Sequence, residues 1–365
     1  MPRNTHAIID LDALAYNFKA MSALAPTSKQ VIVIKANAYG NGAVAVALAL
    51  QHKAQMFAVA FLDEVYELRD AGITQPILVL QGPHQEQECE QTDLLNVVWM
   101  LSAQHQLNWL QSWLHRSFSQ ESKKRTRHWL KFDTGMHRLG LMPEDYSLLK
   151  QQHPELFSHD VVIATHLSAA DEPGKNSIEV QLKRFEAMIG KDQNPLSIAN
   201  SAANIHLLPA RQSWNRMGIS LFGSSPFEND SVKPDLKPVM QLMSTVIALR
   251  VIAKGESVGY GDTWVAEKET VLATVGIGYG DGYPRHAPIG TPAIIEQHTA
   301  HLVGRVSMDM LIFDVTGFKD VKIGSKVELW GCNLPINTVA KHVGTIGYEL
   351  MTRVSQRVPR VYLRG

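Results

Sequence analysis

The sequence is poor in several things, and each shortage excludes a class of protein. It has two cysteines, Cys89 and Cys332, far apart and without metal-ligand spacing. Neither a disulfide framework nor a zinc site is therefore indicated. Charge of one sign is not in excess, because Lys+Arg and Asp+Glu number 35 each. A binder of phosphate backbones normally carries a basic surplus, so nucleic acid is not an expected partner. Long apolar runs are missing: the longest, Ala43 to Leu50, is far too short to cross a bilayer. Residues Met1 to Asp12 have neither the basic start nor the apolar stretch of a secretory leader, and the expectation is a cytoplasmic protein without a membrane partner.

What is present is enough for a large core. Apolar residues make up 45% of the 365-residue chain and charged residues 19%, a balance that excludes disorder and suits one large domain plus a smaller one. Short apolar runs recur along the first two thirds: Val31–Lys35, Met56–Ala60, Pro76–Leu80, Val97–Leu101, His128–Phe132, Val161–Thr165 and Leu196–Asn200. A weaker run follows at Ser213–Met217. They lack clean alternation, as parallel strands covered on both faces do. Helical patterns separate most of them, at Ala43–His52, Asp63–Asp70, Ala103–Phe118, Pro143–Gln152 and Ser177–Ile189. Gln85–Gln91 is compatible with a helix but polar.

This alternation predicts an α/β fold, a (β/α)8 barrel over residues 1–230. An open doubly wound sheet would need fewer units, and no GxGxxG follows the first run. Beyond Pro226 the texture changes to strand-like segments with Gly and Pro at the turns: Met243–Ile252, Thr270–Val275, Pro292–Glu296, Ala300–Val306, Leu311–Val315 and Lys326–Trp330. Residues 231–365 are therefore expected to form a mostly β domain with one short helix near Ile336–Val343.

The segment Val31-Ile-Val-Ile-Lys35-Ala-Asn-Ala-Tyr39-Gly-Asn-Gly42 carries the most chemistry. Its lysine ends an apolar strand at the face where barrel enzymes keep their sites, and burial there would lower its pKa and suit it to Schiff-base formation. Taken alone, a strand-end lysine more often turns its ammonium out to solvent. The block as a whole resembles the pyridoxal-phosphate attachment signature of the alanine racemase family, and spaced motifs in the family's order continue through nearly the whole chain. The resemblance implies that Lys35 forms the internal aldimine and that Tyr39 binds the cofactor phosphate. It implies a two-base α-proton transfer on the pyridoxal-phosphate aldimine of alanine, interconverting the L and D forms. Such a reaction would supply D-alanine for peptidoglycan or serve D-alanine catabolism.

The same resemblance assigns the remaining site. Arg138, within His128-Trp-Leu-Lys131-Phe-Asp133-Thr-Gly-Met-His-Arg138-Leu-Gly, matches the arginine that contacts the cofactor's phenolic oxygen and the substrate carboxylate; a planar guanidinium fork suits a carboxylate. Lys131 matches a lysine that is often carbamylated and then holds that arginine. His166, Ser201, Gly218 and Ile219 match cofactor ligands, the last two at a place where barrels bind phosphate with backbone amides. Arg216 matches the arginine that faces the pyridine nitrogen, where a permanent cation disfavours ring protonation and keeps the carbanion short-lived.

In the second domain, Ser257-Val-Gly259-Tyr260-Gly261 matches the motif of the second base. One lysine and one tyrosine on opposite faces of the α-carbon serve a racemase directly. Tyr260 is implied to reach the site of a second subunit, making the enzyme a homodimer with shared active sites. Tyr279, Met308 and Asp309 match the channel and inner gate, Met308 lying near the substrate carboxylate, and Tyr348 matches a phosphate ligand that narrows the gate. Ser307 stands where some members have Cys, and His137 occupies a variable position. No metal is implied. The rival readings are a racemase of serine or of broad range, a barrel-fold pyridoxal-phosphate decarboxylase, a non-catalytic cofactor carrier and a cofactor-free Schiff-base aldolase.

Overall fold

Strands whose residues are buried along their whole length have nowhere to lie but inside a wall covered on both faces, and most strands of the first sheet are of this kind. In the computed structural model, which describes residues 3–116, 127–227, 232 and 234–364, a strand β1 (His6–Asp10) precedes them. There follow β2 (Lys29–Val33), β3 (Met56–Val59), β4 (Ile77–Val79) and β5 (Val97–Leu101). The set is completed by β6 (His128–Lys131), β7 (Val162–Ala164), β8 (Leu196–Ser197) and β9 (Trp214–Met217). The eight strands β2 to β9 pair in parallel in the order β8-β7-β6-β5-β4-β3-β2-β9. The ring closes where the Arg216 amide of β9 donates to Ala199 O at 3.0 Å, just past β8. This is the (β/α)8 barrel expected from the alternation of runs and helices.

The helix expected over Ala103–Phe118 spans Gln104–Arg116; its last two expected residues lie outside the described ones. Gln85–Gln91 is a tight turn at Glu86–Glu90 leading into a short helix at Gln91–Leu94. Lys35 does not belong to its strand, which stops at Val33.

The second sheet is largely antiparallel. Its spine is the 13-residue β10 (Met240–Ile252), followed by a small hairpin of β11 (Ser257–Val258) and β12 (Trp264–Val265). Then come β13 (Thr270–Val275), β14 (Pro292–Ile295), β15 (His298–Leu302), β16 (Leu311–Asp314) and β17 (Lys326–Trp330). The final strand is β18 (Arg360–Leu363). Pairing of β10 with both β13 and β17 closes β13-β16-β15-β14-β17-β10 into a ring. The N-terminal β1 runs antiparallel to β10 and parallel to β18, so the first strand of the chain sits in the second sheet. Periodicity in five residues says nothing about a partner more than two hundred positions away. The boundary expected between residues 230 and 231 falls outside the described residues.

Two helices, not the one expected, follow β17: Ile336–Val343 and Gly347–Arg353. The second is too short to show a helical period, and it carries Tyr348. One continuous apolar core runs through both sheets, with Trp99, Phe57, Phe132, Phe313 and Trp330 fully enclosed.

A buried charge locks the N-terminus to the second sheet. Asp281, wholly enclosed, accepts from Arg3 Nη1 and Nη2 at 2.8 and 2.7 Å and from the Gly278 amide at 3.0 Å. Arg357 lies 3.6 Å away and pairs with Asp309 at 2.6 Å. Removing one member of a buried pair leaves the other uncompensated. Asp281→Ala is accordingly expected to cost about 3 kcal/mol in a denaturant titration, far more than Arg116→Ala, whose partner Glu86 is largely solvated.

Candidate active site

At the barrel mouth the chain leaves β2 through a conformation that L-residues avoid. Ala36, Asn37, Ala38 and Tyr39 all have φ between 51° and 55°, a full turn of left-handed helix. Each such residue costs on the order of 1–2 kcal/mol, so the surroundings must over-determine the turn. Ala38 N donates to Ile34 O at 2.8 Å and Ala36 N to Glu64 Oε1 at 2.5 Å. Asn37 Oδ1 accepts from Ala43 N, the start of the helix Ala43–Leu50, at 2.7 Å. Gly40 ends the turn at φ 81°, where a Cβ would meet Met351 O at 2.2 Å, so only glycine lets the second domain's last helix approach. The turn's result is that Lys35 and Tyr39 are held one left-handed turn apart.

Around Lys35 the charges are mostly positive. Arg216 is buried, and its Nη1 donates to Ser197 O and Oγ at 2.9 and 2.6 Å. Its Nη2 donates to Thr165 O, Ile198 O and His166 Nδ1 at 2.8, 3.1 and 3.2 Å. Its Nε makes no hydrogen bond among the described residues, and burial lowers the guanidinium to about 10. The nearby cations and burial act together on three more groups. Burial first, then Arg216 and Arg138, bring Lys131 down to about 8. Burial, Arg216, Lys131, Arg138 and Lys35 hold His166 well below the ordinary imidazole value, so it stays neutral with Nδ1 as the acceptor. Burial and Arg138 lower Lys35, against a weaker opposing pull from Glu64.

A cradle of neutral donors lies beside this cluster. Ser201 Oγ accepts from the Gly218 amide at 2.9 Å, with the Ser220 amide at 3.4 Å and Ser220 Oγ at 2.9 Å. A Cβ on Gly218 would sit 2.6 Å from Tyr39 Oη, so glycine is what brings the backbone against the phenol. Tyr39 and Tyr348 have ring centroids 6.0 Å apart, and burial pushes both phenols up, keeping them protonated donors. The phenols of Tyr39 and Tyr348 and the hydroxyls of Ser201 and Ser220, beside the Gly218 backbone, suit a phosphate dianion. With the depressed amine of Lys35 nearby, the donor set fits an aldehyde that carries a phosphate.

Lys35, Tyr39, Lys131, His166, Ser201, Arg216, Gly218, Ile219 and Tyr348 therefore gather at one mouth, with Arg138 exposed at its edge and acting on Lys35 and Lys131. Tyr260, Tyr279, Met308 and Asp309 do not join them within one chain: they lie on the exposed face of the second domain. Tyr260 is 69% exposed and sits in a turn backed by Arg305, whose Nη1 would be 3.2 Å from a Cβ on Gly261. Tyr279 and Met308 are held together by Tyr279 N donating to Ser307 O at 3.0 Å and Gly280 N to Met308 O at 2.9 Å.

Residue-level reading of the sequence passed over Ser197, Thr165's carbonyl and Glu64. A serine inside the apolar run Leu196–Asn200 was a legible sign of a polar duty in the wall. Glu64 stands three residues after Phe61 at a helix start, a capping spacing that signals local structure alone. Among the described residues no helix is long and apolar enough to cross a membrane, and no cluster of His, Cys, Asp and Glu could hold a metal ion.

Comparison with known proteins adds to this geometry. The family profile "Alanine racemase, N-terminal domain" matches residues 9–226, and "Alanine racemase, C-terminal domain" matches residues 239–362. An alanine racemase of Alteromonas mediterranea is 45% identical over 361 residues, spanning 99% of each chain. The crystal structure of biosynthetic alanine racemase from Pseudomonas aeruginosa superposes with a TM-score of 0.91 at 39% identity, covering 99% of this chain and 100% of that one. A Bartonella henselae alanine racemase solved with covalently bound pyridoxal phosphate gives 0.88 at 28% identity, with the same coverage.

The depressed Lys131 has a measurable consequence. Unfolded, its amine keeps a proton up to the ordinary 10.5; folded, only to about 8. Between those values the unfolded chain binds more protons, so stability rises with pH there, and the full cost is borne below about 8. In carbonate-free buffer, Lys131→Met is expected to flatten part of that rise in urea titrations between pH 8 and 10.5; a slope equal to the wild type's would contradict the depression.

Proposed function

The chain belongs to the alanine racemase family, and we propose that it interconverts L-alanine and D-alanine with pyridoxal phosphate held on Lys35. One observation carries the reading: a depressed lysine, a buried arginine without a carboxylate and a phosphate cradle converge at the barrel mouth. Bound there, the cofactor supplies an electron-withdrawing ring that stabilises negative charge at the substrate α-carbon.

The side chains do the rest. Tyr39, Tyr348, Ser201 and the backbone at Gly218 and Ile219, whose Gly218 amide now donates to Ser201 Oγ, would hold the phosphate. Arg216 spends Nη1 and Nη2 on main-chain carbonyls, Ser197 and His166, so Nε is the donor that would be left for the ring nitrogen. A donor there blocks protonation of that nitrogen, limits charge delocalisation and favours prompt return of a proton over side reactions. A neutral His166, in contact with Arg216, would pack against the ring region. Arg138 receives the substrate carboxylate together with Met308 of a second copy.

Two bases move the proton. Lys35 takes it from D-alanine and Tyr260 from L-alanine, each returning it on its own face. Because Tyr260 stands exposed on the far domain of its own chain, the site is completed by a second copy, and the working form is a homodimer with shared sites. Tyr279 and Asp309 line the approach from that copy, and the narrow gate at Tyr348 favours a methyl side chain. Lys131 sits among Arg216, Arg138 and Lys35 with an amine low enough to react with carbon dioxide; a carbamate would replace a fourth cation by an anion and hold Arg138. The product would serve as D-alanine for peptidoglycan in the cytoplasm, or the reaction would run catabolically.

Incubating the protein with pyridoxal phosphate and L-alanine in D2O is expected to give α-deuterated D-alanine, and failure of both exchange and racemisation in cofactor-loaded protein would overturn the reading. Tyr260→Phe is expected to lower α-proton exchange on L-alanine by about 100-fold or more while sparing exchange on D-alanine; equal loss from both enantiomers would refute the division of labour. Carbon-13 NMR of the folded protein equilibrated with labelled bicarbonate tests the carbamate, whose carbonyl signal is expected in the wild type and absent from Lys131→Ala.

A further inference from the structure

We propose that Glu64 is a positioning residue for Lys35, fastening the backbone on its C-terminal side and supplying the negative charge that the lysine faces. The inference rests on Lys35 being the cofactor lysine. Three main-chain amides converge on this one carboxylate. Oε1 accepts from Ala36 N at 2.5 Å, and Oε2 accepts from Ala60 N at 2.7 Å and Phe61 N at 3.3 Å. Ala36 is the first residue of the left-handed turn, and Ala60 is the residue that leaves β3. Glu64 therefore bridges the mouths of two adjacent strands at the point where the backbone departs from its preferred conformation.

Capping explains only half of this. A helix-start glutamate reaching back to Ala60 and Phe61 would satisfy its own helix; the bond to Ala36 crosses to a different strand and ends one residue from Lys35. The turn is uphill for every residue in it, and an amide bound to a carboxylate is the stronger kind of tether. Charge points the same way. From β6 and the loop after it, Lys131 and Arg138 bear on the lysine's surroundings; from the end of β7, a neutral His166; from β9, Arg216 acts on Lys131 and His166. Asp133 acts on Lys131, and Glu64 is the carboxylate that acts on Lys35 itself.

The test uses the full-length chain stripped of cofactor. A short pulse of acetic anhydride across a pH series, read by mass spectrometry of the Lys35 peptide, reports the midpoint at which that amine becomes reactive. Glu64→Gln keeps the shape, removes the charge and turns an amide NH2 toward one of the N–H donors. Its midpoint is expected to move down, and its rate of forming the visible linkage with added pyridoxal phosphate to fall by about tenfold or more. A midpoint that stays put or rises toward that of ordinary lysines means that Glu64 only braces the fold, and the proposal fails.

Glu64→Asp keeps the charge but is one methylene too short to reach Ala36 and Ala60 together. It is expected to hold the wild-type midpoint while linking the cofactor about fivefold or more slowly, so the proposal stays testable if the glutamine variant misfolds; an unchanged rate would overturn it. Borohydride reduction of the wild-type complex separates the two levels. Reduced cofactor on Lys35 with no effect of either variant sinks the role of Glu64 alone, whereas reduced cofactor on another lysine sinks the reading beneath it.

Discussion

A buried guanidinium organises the mouth of the barrel. Arg216 closes the strand ring through its own amide, and its side chain gathers the carbonyl of Thr165 from the end of β7 and those of Ser197 and Ile198 from the end of β8. A cation held this way by carbonyl dipoles rather than a carboxylate keeps its full field, and that field spreads. It helps keep His166 neutral and Lys131 depressed, and Lys131 and Arg138 extend it toward Lys35. Where many structural ion pairs cancel locally, this site leaves positive charge uncancelled, as a pocket for a phosphorylated cofactor and a carboxylate substrate requires.

The second constraint is conformational. Four consecutive left-handed residues after Lys35 are affordable because the turn is tied on every side: to Ile34 and Glu64 within the barrel, to Asn37's own bond with Ala43, and to the second domain through Gly40 against Met351. Strain of this kind fixes the distance between the amine and the phenol without relying on long side chains. The helix that presses on Gly40 also carries Tyr348, so the same packing contact sets the Tyr348 ring 6.0 Å from that of Tyr39.

Much of this was legible in the chain. Fully apolar runs spaced by helical patterns announced the parallel barrel, because strands covered on both faces cannot alternate. Resemblance to the family's motifs proposed Lys35, Tyr39, Arg216 and Tyr260 as site residues. The left-handed turn was hidden, since of its four residues only Asn37 tolerates that region readily and tertiary contacts impose it on the rest. Membership of β1 in the second sheet was equally hidden, as were the helix under Tyr348 and the cross-strand bond of Glu64.

The division has a simple cause. Local pattern, meaning burial period, turn residues and the chemical type of a side chain, is written along the sequence, and it determined the barrel and the β domain, while resemblance to the family's motifs proposed the reactive groups. Which groups share a field, which amide a carboxylate reaches and which strand a terminus joins depend on distances between residues remote in sequence. Those were decided only when the barrel closed at Arg216 and the second sheet closed on β10, because the energy of a charge or a hydrogen bond is set by separation in space.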